Sequence, residues 1–247
     1  MNASPESQLR LLDLQSLDTA IDQLSHRRDT LPEHAEAARL TARLHDLARE
    51  IVVTETEKSD IAKEQAKAEG DVDQVVTRAT RDQQRLDAGQ VGSPRELENL
   101  QSEIASLARR QSDLEETVLE VMERFEDADR RLAALIAERD QLTAEAETVE
   151  ERRSVALADI ERELGATTGQ RAGVAAQLPS ELLDLYEKVR AQHGGVGVAQ
   201  LHRGRCEGCH LSLDASSLNA LRVAPPDAIV RCEECRRILV RTADSGL

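Results

Sequence analysis

Four cysteines carry the clearest chemistry in the chain. Cys206 and Cys209 form one C-x-x-C pair, Cys232 and Cys235 a second, and twenty-two residues separate the pairs. Each pair can turn two thiolates toward one ion. Four thiolates complete a zinc tetrahedron and leave no position for a substrate, so zinc held this way is structural. The chain contains no fifth cysteine. Two disulfides are one alternative, and a redox-sensing zinc–thiolate centre is another. The N-terminus, MNASPESQLRLLDLQ, is polar and then amphipathic, unlike an export signal. That predicts a cytoplasmic protein, in a compartment where thiols stay reduced or bind metal. His202 and His210 flank the first pair; either could stand in for a thiolate, but four cysteines already complete the set.

The remaining polar residues point away from catalysis. The six histidines lack the H-E-x-x-H spacing, and the chain has no Gly-rich phosphate loop and no Ser/His/Asp arrangement. The expectation is a binding protein and not an enzyme. Arg203, Arg205, Arg231, Arg236, Arg237 and Arg241 cluster around the two cysteine pairs. Guanidinium forks suit phosphate, so these six are candidate contacts for nucleic acid or a partner protein. Their other reading is charge balance against Glu207, Glu233, Glu234 and a doubly negative metal–tetrathiolate site. The ribbon region has no aromatic residue on which bases could stack.

Long helices must position these groups. The 247 residues include one Phe, one Tyr and no Trp, and 32 % are charged. That is the composition of extended helices and not of a large aromatic core. Residues 201–247 carry seven arginines against six acids, so of the net charge of −15 the first 200 residues carry −16. An acidic body repels nucleic acid at long range. No apolar run approaches the roughly 20 residues that cross a bilayer, so no membrane association is expected.

Apolar or small residues recur in steps of three and four from Leu97 through Leu107, Leu114, Val121, Ala128, Leu135 and Leu142 to Ile160. This seven-residue repeat, held for about nine heptads, predicts a left-handed coiled coil. A second run, from Ala37 to Leu86, has a poorer seam with Thr54, Lys58 and Ala68 at inward positions. Between them, Gly89 is placed for a left-handed helix cap, and Ser93, Pro94 and Glu96 for the N-cap, N1 and N3 positions of a capping box. So short a turn makes the helices antiparallel neighbours. The first arm, residues 33–88, would extend on the order of 80 Å.

An amphipathic helix precedes this hairpin at about residues 5–29, and its stripe is expected either to meet a partner helix or to fold back on the hairpin; the chain could also form a homodimer. Past Leu164 three glycines, Gly165, Gly169 and Gly173, predict a fraying end or hinge. A short helix follows Pro179, with Leu182, Leu185, Tyr186 and Val189 on its apolar face. The last fifty or so residues are too few to bury a core without a staple, which the metal supplies. Strands are expected at 196–201, 229–231 and 237–241, and a helix at 215–222. The fold class is therefore mainly α: a long antiparallel coiled-coil hairpin followed by a small C-terminal zinc ribbon. The expected division is a hairpin over residues 1–178 with its turn near 89–94, a connecting helix over 179–195, and a C4 ribbon over 196–247.

This layout resembles the bacterial C4-type zinc-ribbon family with an N-terminal coiled-coil hairpin, across essentially the whole chain. The resemblance rests on Ser93-Pro-Arg-Glu-Leu-Glu-Asn-Leu-Gln-Ser-Glu-Ile-Ala-Ser-Leu107 after the turn, on Cys206-Glu-Gly-Cys-His210, and on Val230-Arg-Cys-Glu-Glu-Cys-Arg-Arg-Ile-Leu239. It implies nucleic-acid-binding proteins, or adaptors and chaperones that serve transcription, flagellar or secretion machinery. Two positions depart from the family pattern. Arg236 stands where Gly is common after the last cysteine, and Val240 where an aromatic is common. Nothing in this sequence supports a flagellar partner. The expected function is a non-enzymatic zinc-binding coiled-coil adaptor with a protein partner; nucleic-acid binding through the arginine-rich ribbon is the alternative.

Overall fold

The computed structural model describes residues 1–247. Five α-helices and four short strands follow in order: α1 (Pro5–Asp29), α2 (Pro32–Asp87), α3 (Pro94–Ala175), α4 (Ser180–Gln192), β1 (Val198–His202), β2 (Arg205–Cys206), α5 (Ala215–Val223), β3 (Val230–Arg231) and β4 (Ile238–Val240). They form two compact units. One is Ala35–Glu150; the other joins Met1–His34 to Glu151–Leu247. In this grouping residues 1–34 pack with the C-terminal part of α3, α4 and the ribbon.

The Ala35–Glu150 unit is the antiparallel hairpin. From α3 it buries Leu100, Leu107, Leu114, Val121 and Ala128, one residue every heptad, against Leu40, Leu47, Ile51, Thr54, Ile61 and Ala68 of α2. Ion pairs stitch the two helices in opposite directions: Arg43 to Glu138 at 2.8 Å, Arg131 to Glu57 at 2.9 Å, Arg124 to Glu64 at 2.9 Å and Arg78 to Glu103 at 2.5 Å. Lys58 reaches Asp129 at 2.5 Å and lies over the Phe125 ring. A lysine at an inward position is thereby used twice, by its charge and by its cationic head above the ring.

The turn is built by the residues that signalled it. Gly89 has φ 64°. Its N–H donates to Leu86 O and that of Gln90 to Arg85 O, the paired bonds of a Schellman cap. Ser93 Oγ accepts from Glu96 N at 3.3 Å. The Glu96 carboxylate accepts from Gly92 N at 2.9 Å, one residue before the position a standard capping box would use.

The second unit is built on a four-stranded sheet of order β2-β1-β4-β3, in which β1 and β4 are parallel and the outer pairs antiparallel. Its larger core joins Leu11 and Leu14 of α1, Leu182, Tyr186 and Val189 of α4, and Val198, Ile238 and Val240 of the sheet. Thus α1 packs on α4 and on the sheet. The very N-terminus follows it: Ala3 N donates to Asp227 O at 2.8 Å, and Ile229 N to Met1 O. Gly197 lets α4 and β1 approach, since a Cβ there would lie 2.8 Å from the Tyr186 carbonyl oxygen.

The glycine-bearing end of α3 does not fray. The helix runs through Gly165, Gly169 and Gly173 to Ala175. Each interior glycine costs about 1 kcal/mol of helix propensity. Packing offsets it: Ile160 is fully buried, and Arg171 pairs with the buried Asp18 of α1 at 2.7 Å and with Glu187 of α4. Asp18 also accepts from Tyr186 Oη at 2.6 Å. Gln15 completes the network, donating to Gly195 O and accepting from Gly197 N at 2.7 Å.

Candidate metal centre

The two cysteine pairs sit on two loops of one design. In the first, Cys206 N donates to Leu211 O and His210 N returns to Cys206 O at 2.8 Å. In the second, Cys232 N donates to Arg237 O and Arg236 N returns to Cys232 O at 2.9 Å. The residue after each pair takes a left-handed backbone, φ 57° at His210 and φ 63° at Arg236. That conformation reverses the chain so that both thiols of a pair face the same way. A non-glycine residue pays for it in strain, about 1–2 kcal/mol.

Facing each other, the loops bring the four sulfur atoms together. Cys206 Sγ lies 3.9 Å from Cys235 Sγ, and Cys209 Sγ lies 3.8 Å from Cys232 Sγ. All four lie within 4.8 Å of one another. A zinc tetrahedron with bonds of about 2.3 Å has edges of about 3.8 Å. A disulfide needs about 2.05 Å, and all four cysteines are free. The geometry fits a single ion and not two disulfides. Neither His202 nor His210 joins the cluster. His210 is exposed, with Glu207 at 4.0 Å, and His202 lies in β1 paired with Arg205.

The thiols differ in acidity. Burial pushes Cys206 up to about 12, although the Gly208 and Cys209 N–H groups act the other way. Burial likewise raises Cys232. At Cys235 burial also acts upward, but hydrogen bonds from the Arg237 backbone and side chain and from the Cys232 and Cys209 thiols together outweigh it and bring the thiol down to about 7. One sulfur is thus half-ready as a thiolate, and a cation is needed to hold the others ionised. The shell around them is apolar: Ala199, Leu201, Leu221 and Leu239 pack with the cysteines in one core.

The structure separates the six candidate arginines. Arg237 is consumed by the fold, its guanidinium donating to Val196 O at 2.9 Å, Gly208 O at 3.0 Å and His193 O at 3.2 Å. Gly208 is small for the same reason, since a Cβ there would lie 2.8 Å from Arg237 Cδ. Arg241 gathers carbonyl oxygens of the 221–228 segment, among them Ala224 at 2.9 Å and Pro225 at 2.6 Å. These two are therefore not free phosphate forks; they close loops that have too little regular structure to satisfy their own carbonyls. Arg203, Arg205, Arg231 and Arg236 remain exposed. The loop-closing roles were not visible in the sequence, because the acceptors are backbone atoms that any residue supplies.

Comparison with known proteins matches both parts. Residues 14–194 fit the family model of the CT398-like coiled coil hairpin domain, and residues 205–239 that of the C4-type zinc ribbon domain. An uncharacterised protein of Mycobacterium tuberculosis is 32 % identical over 241 residues, 98 % of each chain. A protein of Mycobacterium leprae is 25 % identical over 221 residues, 90 % of this chain and 94 % of its own. Among solved structures, one from Mycobacterium smegmatis covers 98 % of this chain and 100 % of its own, with a TM-score of 0.84 and 29 % identity. CT398 from Chlamydia trachomatis covers 96 % and 98 %, with a TM-score of 0.69 and 21 % identity, a likeness of fold.

Proposed function

The chain belongs to the CT398-like coiled-coil hairpin family and ends in a C4-type zinc ribbon, and from that premise we propose that it is a non-enzymatic adaptor. Its ribbon is stapled by structural zinc on Cys206, Cys209, Cys232 and Cys235, and its hairpin offers a binding surface to a protein partner. Zinc would hold the two cysteine loops together and supply folding free energy to a sheet whose strands are two to five residues long. A closed four-sulfur shell leaves no position for a substrate. Such a thiolate site belongs in a reducing compartment, which fits the cytoplasm. No helix is long and apolar enough to cross a membrane.

One observation carries the adaptor reading. The hairpin leaves apolar side chains outside its own seam: Val52 is 60 % exposed, Val53 67 % and Leu119 61 %. A helix pair that needed only itself would carry polar residues there. Unspent apolar surface on long helices suits helix-in-groove or coiled-coil partners.

The test is affinity capture of the tagged chain from its native lysate, with and without nuclease, beside a Cys232→Ser/Cys235→Ser chain. Proteins retained through nuclease treatment support the adaptor. Their loss from the double variant assigns the contact to the ribbon. Proteins that leave together with nucleic acid would overturn this reading and direct attention to Arg203, Arg205, Arg231 and Arg236.

A further inference from the structure

The hairpin carries one groove whose chemistry restricts what can occupy it. It lies between α2 and α3, has a volume of about 310 Å³, and is lined by Val72, Val118 and Leu119 with Glu69 and Glu115 at its rim. Met122, one turn beyond Leu119 on α3, is 38 % exposed. The floor is aliphatic, and Leu119 stands open to solvent beside it.

The charge along its two walls has one sign, with Lys67, Arg109, Arg110 and Arg124 beyond their ends. Between residues 68 and 77 of α2 there are three acids, and between 111 and 123 of α3 there are five, with no Lys or Arg in either stretch. The interhelical ion pairs stop on both sides of this segment, at Arg124–Glu64 and at Arg78–Glu103. Within it, Glu69 and Glu115 accept only from amides of their own helices, Gln65 and Gln111. Two facing stretches of like charge repel across the seam, which here rests on the small or short side chains Ala68 and Val72. Two other grooves of the hairpin are larger and differ: one carries Arg109 and Arg110 beside Asp113, and one lies at Val53 and Leu135. The rim groups of the latter, Arg131, Glu138, Glu50 and Arg49, are each paired with an opposite charge, so it selects no sign of partner.

We propose that the groove at Val72, Val118 and Leu119 docks a basic amphipathic helix, its apolar face on the leucine and valines and its Lys or Arg residues over the acidic rim. This deepens, and rests on, the adaptor reading above. Charge decides the occupant. A second copy would bring the same acidic surface, since residues 35–150 carry 28 acidic against 16 basic side chains; nucleic acid and anionic lipid are repelled for the same reason. A basic helix instead relieves the repulsion the hairpin stores here and covers the exposed Leu119.

The probe is a synthetic helix of about 18 residues made of leucine and lysine, with leucines at i, i+3, i+4 and i+7. Two controls accompany it: the same peptide with every lysine replaced by glutamate, and a scrambled leucine–lysine sequence of the same charge. Binding to the full zinc-loaded chain is measured by fluorescence anisotropy, for the wild type, Leu119→Ser, and the triple variant Glu115→Gln/Glu116→Gln/Glu120→Gln. These positions are exposed, and circular dichroism checks that each hairpin stays helical. The expected result is saturable binding of the amphipathic lysine helix, weakened about tenfold or more by either variant, with weaker binding of the scramble and none of the acidic peptide. Equal binding to all three chains, or equal binding of scramble and helix, would overturn the proposal. So would a dimer by analytical ultracentrifugation that Leu119→Ser dissociates, since the groove would then serve self-association. A photo-crosslinker at position 119 and another at position 53, used in the native lysate, separate this proposal from its premise. Products from 53 alone refute the groove and leave the adaptor; products from neither, with no captured protein, refute both.

Discussion

Arg236 shows how much one residue can be asked to do by its backbone alone. It holds φ 63° to close the second cysteine loop, yet its side chain is exposed and makes no hydrogen bond or ion pair in the structure. Glycine adopts that conformation without the Cβ penalty. Arg236→Gly is therefore expected to stabilise the ribbon by about 1 kcal/mol, seen as a higher urea midpoint of the zinc-loaded chain; a lower midpoint would mean that the guanidinium has a partner. Cys232→Ser acts in the opposite direction. It removes a fully buried ligand, and the C-terminal fifty or so residues should become protease-sensitive while the hairpin keeps its helix signal. Tyr186, the only tyrosine, is expected to matter through its hydroxyl as well as its bulk. Burial and the Asp18 carboxylate both hold its proton in place, raising its pKa. Tyr186→Phe leaves the buried Asp18 one donor short and should cost about 1–3 kcal/mol, read from denaturant unfolding against a Leu182→Val control.

At the scale of the element, the hairpin is held by a regular seam and by ion pairs on its flanks, and these respond to different tests. Gly70 interrupts α2 with no atom within 4 Å of where its Cβ would lie. Gly70→Ala is expected to raise the thermal midpoint of the hairpin, by the equivalent of about 1 kcal/mol. The ion pairs respond to acid. A hydrogen bond from Arg131 holds the Glu57 carboxyl below its ordinary value, against a smaller opposing effect of burial. A lowered folded-state pKa contributes stability that is complete above the unfolded value near 4.3 and disappears as the pH falls through the folded one. Glu57→Gln should therefore melt below the wild type at neutral pH, and the two curves should converge as the pH falls through the folded-state pKa. Acid loss of metal is common to both chains and cancels in the comparison; a gap that persists in acid would assign the effect to packing. How these elements could be read from sequence follows the range of the interactions. The turn at 89–96 and the spacing of Leu100, Leu107 and Leu114 are local or periodic, and so were legible. The continuation of α3 through three glycines was not, because what holds it is Arg171 meeting Asp18, 153 residues away in the chain.

The whole molecule couples its two ends, and this was the least legible feature. The stripe Leu11–Leu14 announces an amphipathic helix but not what it covers; the answer depends on Leu182, Val198 and Ile238, residues whose own partners are equally unspecified in sequence. The four cysteines were legible as a set because metal chemistry fixes their number and spacing in advance. The two facts combine into a testable dependence. The cysteine loops that zinc would close adjoin β2, β3 and β4, and the N-terminus is bonded to the segment entering β3 through Ala3 N to Asp227 O and Ile229 N to Met1 O. Removing the ion frees Cys232 and its loop, and with it the register of β3 on β4, Val230 with Leu239. Chelation should then accelerate amide hydrogen exchange not only across residues 198–241 but also at Ala3, which lies 224 positions before its acceptor Asp227. Amides of the buried hairpin seam, such as Leu47 and Leu107, should exchange at an unchanged rate, because every partner that protects them lies within their own unit. If Ala3 kept its protection while the ribbon lost its own, the N-terminal segment would be held by α1 against α4 alone, and the metal would staple only the loops that carry it.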